Sequence, residues 1–120
     1  MTLVDTSIWV DHLRGNDPAL EDLLDRGRVL CHPLVIGEVG LGRLRERHVR
    51  LAALAELPSA AVATHAEVMR FIESHVLWGS GIGLVDVHLL ASVRLTPDAR
   101  LWTRDRQLER IAESLGLAWS

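Results

Sequence analysis

Lysine is missing from this sequence of 120 residues, so its 13 strongly basic side chains are all arginine. This absence excludes Schiff-base chemistry and any phosphate site that depends on a lysine. It also excludes a signalling receiver domain, which needs a lysine near its phosphoacceptor. The formal net charge is −3, so the protein as a whole is not a basic nucleic-acid binder.

Cysteine is nearly absent, with Cys31 as its single occurrence. One cysteine excludes an internal disulfide and a cysteine-based zinc site, and it is typical of a reduced, cytoplasmic compartment. The sequence has no visible signal peptide, because Asp5 interrupts the first apolar run. No apolar run has the length of a membrane span, so we expect a cytoplasmic protein with no membrane contact.

Short apolar segments alternate with helical patterns along the whole chain. This alternation predicts an α/β fold, a parallel sheet of four to five strands sandwiched by helices, in a single domain over residues 1–120. The hydrophobic fraction of 48% is high for this length, so we expect surplus apolar surface and a homodimer. The predicted strands are "TLVD", "RVLCHP" and "ARLWT", with "AAVATH" and "LAWS" as weaker candidates.

The helical segments carry clear start and stop signals. Asp17 is a candidate N-cap for "DPALEDLLDRG", with Pro18 in the first turn and Gly27 at the end. The segment "PLVIGEVGLGRLRERHVRLAALAEL" predicts either one long helix or two joined ones. Later helices are predicted over "AEVMRFIESHVL", "LVDVHLLASVRL" and "DRQLERIAESLG", with the glycine-rich loop "GSGIG" between the first two.

Four acidic residues lie in apolar surroundings. Asp5 and Asp105 follow predicted strands, whereas Glu38 and Asp86 lie within apolar helical segments. Asp5 and Asp105 have an alternative explanation as helix caps, and Asp86 as a residue that favours a helix dipole. Glu38 is harder to explain structurally, because burial of an unpaired carboxylate costs several kcal/mol, and Arg43 is its nearest local partner.

Together the four acids indicate a metal site. The carboxyl ends of parallel strands form the binding crevice of such sheets, and four carboxylates there would repel one another. A divalent cation resolves that repulsion, and oxygen-only ligands favour Mg²⁺ or Mn²⁺. Such an ion is suited to phosphodiester hydrolysis. The six histidines are scattered and offer no competing metal motif. A phosphatase of the haloacid dehalogenase type would need DxD, which Asp5-Thr6-Ser7 does not provide.

Four segments carry a resemblance to a known family: "LVDTSIWVDHL", "HPLVIGEVGLG", "GIGLVDVHLLAS" and "LWTRDRQL". In this order and spacing they resemble the PIN domain, and specifically the VapC toxins of bacterial VapBC toxin–antitoxin pairs. The resemblance covers essentially the whole chain. It implies an endoribonuclease that depends on Mg²⁺, for which Mn²⁺ substitutes, and that a cognate VapB-like antitoxin inhibits.

The resemblance also implies a set of site residues. It maps the catalytic acids of the family onto Asp5, Glu38, Asp86 and Asp105. One or two metal ions would be bound by Asp5, Glu38 and Asp86. Asp105 would support this site, either as a direct ligand or through contacts to bound water or to the ligands. Two hydroxyl residues, Thr6 and Thr103, would hydrogen-bond to ligands or substrate.

Substrate and partner contacts stay open at the level of the sequence. Spacing predicts that Arg43, Arg47 and Arg50 share a helical face, and Arg104 and Arg106 lie beside the site. These arginines either contact RNA phosphates or form a solvated face that includes a pair with Glu46. The segments "LEDLLDRG" and "LAALAEL" offer apolar residues that either contact an antitoxin, form a homodimer interface or pack in the core. A non-catalytic binding module and a DNA substrate are the alternatives for function.

Overall fold

The computed structural model describes residues 1–120 and contains three strands and seven helices. Three parallel strands form the centre, and helices make up most of the rest of the chain. The elements in chain order are β1 (Thr2–Val4), α1 (Thr6–Arg14), α2 (Pro18–Asp25), β2 (Val29–Leu30), α3 (Pro33–Leu41), α4 (Arg47–Glu56), α5 (His65–His75), α6 (Leu84–Leu95), β3 (Arg100–Trp102) and α7 (Arg106–Ser114).

The sheet has the order β2-β1-β3, with β1 in the centre and both neighbours parallel to it. Leu3 of β1 pairs with Leu30 on one side and with Leu101 on the other. All three leucines are buried, since a central parallel sheet is covered on both faces and favours continuous apolar strands. The chain leaves β1 toward one neighbour and returns to the other side through β3, which creates a switch point at the carboxyl end of β1.

Two single-residue bridges extend this sheet at both edges. Ser59 pairs in parallel with Cys31 beyond β2, and Ala118 pairs in parallel with Leu101 beyond β3. The α/β fold with a parallel sheet is therefore confirmed, and five chain segments lie side by side although three are regular strands. The strand prediction for "AAVATH" is wrong, because this segment has no strand and Thr64 instead caps α5 through a capping box with Glu67.

The long helical segment after β2 is two helices. His32 starts α3, because its Nδ1 accepts the backbone N–H of Leu34 at 3.0 Å. Gly42 ends α3, and Glu46 precedes α4 with a left-handed φ of 51°. This break separates Arg43 from the helix that carries Arg47 and Arg50, so the prediction of one helical face for all three is wrong.

The core is one cluster of 26 buried residues, drawn from all three strands and from every helix. Each of the two segments proposed as partner surfaces contributes one buried residue to it, Leu20 of α2 and Leu54 of α4. Large exposed apolar side chains lie elsewhere, among them Val76 and Trp78 between α5 and α6. None of the helices combines the length and hydrophobicity that a membrane crossing requires.

Candidate active site

The candidate site lies at the carboxyl end of β1, where the sheet order places β2 and β3 on opposite sides. Asp5 is the first residue after β1, and its backbone N–H donates to the carbonyl oxygen of Trp102 at the end of β3 (2.9 Å). Thr103 follows β3 directly and therefore lies beside Asp5. Two neighbouring strand ends thus deliver polar side chains to the crevice where ligands bind in sheets of this type.

Asp5 is held in place by hydrogen bonds to both of its carboxylate oxygens. Oδ1 accepts the backbone N–H of Thr6 at 2.7 Å, and Oδ2 accepts hydroxyl groups from Ser7 (3.1 Å) and Thr103 (2.7 Å). The side chain lies in the interior, since Asp5 is only 6% exposed. These three donors compensate for much of the hydration that the carboxylate loses on burial, and they fix its orientation.

Glu38 reaches the same crevice from α3. Its Oε1 accepts the hydroxyl of Thr6 at 2.7 Å, so Thr6 contacts Asp5 through its backbone and Glu38 through its side chain. The structural alternative for Glu38, a buried carboxylate paired with Arg43, is wrong. Glu38 is exposed and forms no ion pair, so water compensates its charge and no desolvation penalty arises.

Asp86 lies in the first turn of α6, and its Oδ2 accepts the backbone N–H of Gly83 at 3.3 Å. The pKa of this half-buried carboxyl is raised, chiefly by burial and then by the negative charges of Asp5, Asp105 and Glu38, while the Gly83 hydrogen bond lowers it in part. The three ion pairs of the chain involve none of these four acids. Negative charge therefore accumulates here without a cation.

Asp105 acts as the N-cap of α7. Its Oδ1 accepts the backbone N–H of Leu108 at 3.0 Å, and its own N–H donates to the hydroxyl of Thr103 at 3.0 Å. Asp105 is exposed, yet its charge contributes to the raised pKa of Asp86. The helix-cap interpretation of Asp105 is thus correct, and its charge also bears on the carboxylate cluster.

The donor set fits a hard divalent ion in its chemistry, because the four acids supply only oxygen ligands and their charge is not neutralised. The structure does not contain a preformed metal site, because no three histidine, cysteine or acidic side chains lie close enough together to hold a metal ion. Asp5 is the most firmly placed of the four, and Glu38, Asp86 and Asp105 lie on or at helices around it.

Sequence reasoning missed the part that Arg104 plays beside the site. Its guanidinium forms ion pairs with Asp11 of α1 (2.6 Å) and with Asp17, the N-cap of α2. Its backbone N–H donates to the hydroxyl of Ser7 at 3.1 Å. These contacts attach the loop after β3 to α1. They join residues about 90 positions apart in sequence, a separation at which no local pattern reveals a pairing.

Comparison with known proteins identifies the family of this chain. Two relatives, both named Ribonuclease VapC32 and from the CDC 1551 / Oshkosh and H37Rv strains of Mycobacterium tuberculosis, are each 48% identical over 118 residues. The match covers 98% of this chain and 95% of each relative. The family model described as PIN domain matches residues 2–114. The chain belongs to the PIN-domain family, in its VapC group.

The family assignment confirms the resemblance that the four sequence segments indicated. Ribonucleases of the PIN family generally use a divalent metal ion, which agrees with the oxygen-only donor set at the end of β1. The roles of individual acids in this chain stay predictions, and they are developed below.

Proposed function

We propose that this protein is a toxin endoribonuclease that hydrolyses RNA phosphodiester bonds with Mg²⁺ or Mn²⁺ held by Asp5, Glu38 and Asp86. One observation carries the proposal: a VapC-group chain concentrates four unneutralised carboxylates at the switch point of its sheet. Membership of the VapC group supports RNA as the substrate and hydrolysis as the reaction.

The acids and hydroxyls divide the work of the site. A bound divalent ion supplies Lewis-acid activation of water and charge stabilisation at the phosphate. Asp5 presents an oriented carboxylate, because Thr6, Ser7 and Thr103 hold both of its oxygens. Glu38 and Asp86 add negative charge and ligand oxygens from two helices. Asp105 supports them by adding charge and by keeping Thr103 in position.

The attacking group in this proposal is water and no side chain. Ser7 is the nearest candidate nucleophile, but its hydroxyl donates to Asp5 and accepts the N–H of Arg104. No histidine accepts its proton, and a carboxylate is a weaker base than an imidazole, so Ser7 lacks the partner that usually activates a serine. Its hydrogen bonds make it a positioning residue for Asp5.

The experiment for this proposal is cleavage of a panel of structured RNAs by the purified protein with Mg²⁺, Mn²⁺ or EDTA. We expect cutting with either metal, none in EDTA, and a matched DNA panel left uncut. Metal-dependent cutting of DNA alone would change the substrate. Metal binding that Asp5→Asn abolishes, without any cutting, would favour the non-catalytic binding module instead.

The proposal also includes partners and location. A VapB-like antitoxin would inhibit the enzyme, as is typical of the VapC group. We propose a homodimer as well, supported by Val76, Trp78 and Leu84, which lie exposed on and beside the segment that joins α5 to α6. The RNA substrate and the single cysteine, Cys31, support a cytoplasmic location, and the single core cluster supports one domain over residues 1–120.

A further inference from the structure

An arginine-lined groove of about 650 Å³ opens beside the carboxylate cluster, between the end of α1 and the segment that joins α3 to α4. This volume lies within the range of ~300–1,000 Å³ that is usual for ligand pockets. Glu38 lines the groove at the side of the candidate active site. The basic residues around it are Arg14, Arg43, Arg45 and Arg50.

The break between α3 and α4 shapes this groove. Gly42 ends α3, and the left-handed backbone of Glu46 redirects the chain into α4, which leaves Arg43 and Arg45 in the turn. Arg50 joins the two walls, because its Nη1 donates to the carbonyl oxygen of Leu13 in α1 at 3.3 Å. The groove is therefore held between packed helices.

Three of the groove arginines have no partner within the protein. Arg14, Arg43 and Arg45 form no side-chain hydrogen bond and no ion pair, in contrast to Arg104, whose guanidinium binds two aspartates. Arg47 is also engaged, since its guanidinium donates to the carbonyl oxygen of Gly40, and it does not line the groove. Unpaired guanidinium groups in a concave surface are suited to phosphate.

We propose that this groove binds the sugar–phosphate backbone of a single-stranded RNA segment and leads it to the scissile phosphate at the Glu38 end. The inference rests on the proposed ribonuclease function and names the substrate contacts of that site. Charge complementarity supports RNA, because the groove concentrates positive charge in a chain whose net charge is −3.

The lining also bears on specificity. Val10, Leu13, Val39 and Leu44 give the groove apolar contacts for sugars and bases, but no aromatic side chain lines it. Base stacking on aromatic rings is the usual source of strong single-strand contacts, so the arginines carry most of the binding here. We therefore expect affinity that depends strongly on salt and little on base sequence in this segment.

A second basic surface provides a matched control. It consists of Arg104, Arg106 and Arg110 with Glu109, at the start of α7, and it shares no residue with the groove. The charge of Arg104 is already neutralised by Asp11 and Asp17. Arg106 and Arg110 form no ion pair and do not line the groove. Their removal subtracts the same formal charge as the removal of two groove arginines and leaves the groove unchanged.

The test is fluorescence anisotropy with a labelled single-stranded RNA of about 12 nucleotides in EDTA, with Arg14→Gln/Arg45→Gln compared with Arg106→Gln/Arg110→Gln. At about 0.1 M salt we expect the groove variant to bind about tenfold more weakly, with a salt slope smaller by about 1.4, or ~0.7 for each lost phosphate contact. The control pair should stay within about twofold of the unsubstituted protein. Circular dichroism confirms that each variant is folded.

The outcomes distinguish failure of the groove inference from failure of the proposed ribonuclease function. Equal weakening in both variants, no weakening in either, or no RNA binding by the unsubstituted protein would overturn the inference. Unchanged RNA binding together with lost binding of a glutamate-rich peptide would reassign the groove to an acidic protein partner. Because EDTA excludes the metal, groove-dependent RNA binding without cleavage on addition of an excess of either Mg²⁺ or Mn²⁺ would reject the proposed function and leave the groove as an RNA site.

Discussion

The carboxylate on the sheet and the carboxylates on the helices differ in how firmly they are held. Asp5 follows the central strand, is buried, and accepts three hydrogen bonds from the chain. Glu38, Asp86 and Asp105 are more exposed, and each accepts one. The difference shows that the site has one carboxylate fixed by the fold and three that the chain holds less firmly.

This comparison explains why the acids cluster without forming a ready metal group. Repulsion among the four charges favours separation of the side chains, and these charges contribute, after burial, to the raised pKa of Asp86. A divalent ion removes that repulsion, so the helix-borne carboxylates would gain most from its binding, whereas Asp5 is already in place. The predictions below test the two classes separately.

The largest effect is expected for the fixed ligand. Asp5→Asn removes the charge and keeps a side chain of the same shape, so we expect RNA cleavage to fall by about 10³-fold while the protein stays folded. Single-turnover cleavage rates in Mg²⁺ measure this. Asp25→Asn, at the exposed end of α2, is the charge-matched control and should cleave as the unsubstituted protein does.

Asp86→Asn tests an adjustable ligand through stability. The pKa of Asp86 is raised in the folded state, so its ionised form disfavours folding at neutral pH. Protonation of Asp86 removes this unfavourable contribution. The free energy of unfolding is therefore undiminished below pH 3.8, the ordinary pKa of the group, and it falls as the pH rises through the folded-state pKa. Without metal we therefore expect the variant to melt at a higher temperature at pH 7, with the difference vanishing in acid.

Binding of Mg²⁺ should make the unsubstituted protein melt at a higher temperature than Asp86→Asn, the reverse of the order without metal. At 100 times its dissociation constant, Mg²⁺ would raise the free energy of unfolding of the unsubstituted protein by about 2.7 kcal/mol, and that of Asp86→Asn by much less. Thermal unfolding with and without Mg²⁺ measures both quantities. A variant stabilised by Mg²⁺ as much as the unsubstituted protein would remove Asp86 from the proposed ligands.

Thr103 tests what fixes Asp5. Thr103→Val removes the hydroxyl that donates to Asp5 and accepts the N–H of Asp105. We expect a loss of 10–100-fold in cleavage or metal affinity and about 1–3 kcal/mol in stability, because buried polar groups lose a partner. Thr103→Ser keeps the hydroxyl and should retain most of both. Equal activity of Thr103→Val and Thr103→Ser would mean that the function of Asp5 does not depend on the hydroxyl that donates to it.

The smallest effects are expected at Asp105, where two substitutions separate capping from charge. Asp105→Ala removes the oxygen that caps α7 and should cost about 1 kcal/mol of stability, whereas Asp105→Asn keeps that oxygen and should cost little. Both remove the charge, so cleavage should fall by about tenfold or less in each. Urea unfolding and cleavage rates give the two quantities. A far larger loss of cleavage in both would make Asp105 a direct ligand.

The sequence predicts much of the fold because its local signals are strong. β1, β2 and β3 are short apolar segments, and Asp17 with Pro18 starts α2 as expected. The location of Asp5 beside Thr103 follows from one rule, that parallel strands end at the same edge of a sheet. The weak strand candidate failed because Thr64 and Glu67 form a capping box there instead.

What escapes sequence reasoning depends on contacts between distant segments. The apolar neighbours of Glu38 indicated burial, but α3 turns this side chain toward the crevice, where it is exposed. Helical spacing predicts one face for Arg43 and Arg47, but α3 ends before Gly42 and α4 begins only at Arg47. The groove requires the packing of α1 against α3 and α4, and the ion pairs of Arg104 join the loop after β3 to α1 and to the start of α2. Local periodicity specifies neither arrangement.

The central claim is that the carboxylates around the end of β1 bind a divalent ion through a fixed Asp5. Isothermal titration calorimetry with Mn²⁺ at neutral pH tests it most directly, with the unsubstituted protein, Asp5→Asn and the control Asp25→Asn. We expect saturable binding by the unsubstituted protein and by Asp25→Asn, and none by Asp5→Asn. Binding that survives in folded Asp5→Asn, or no binding by the unsubstituted protein, would contradict it.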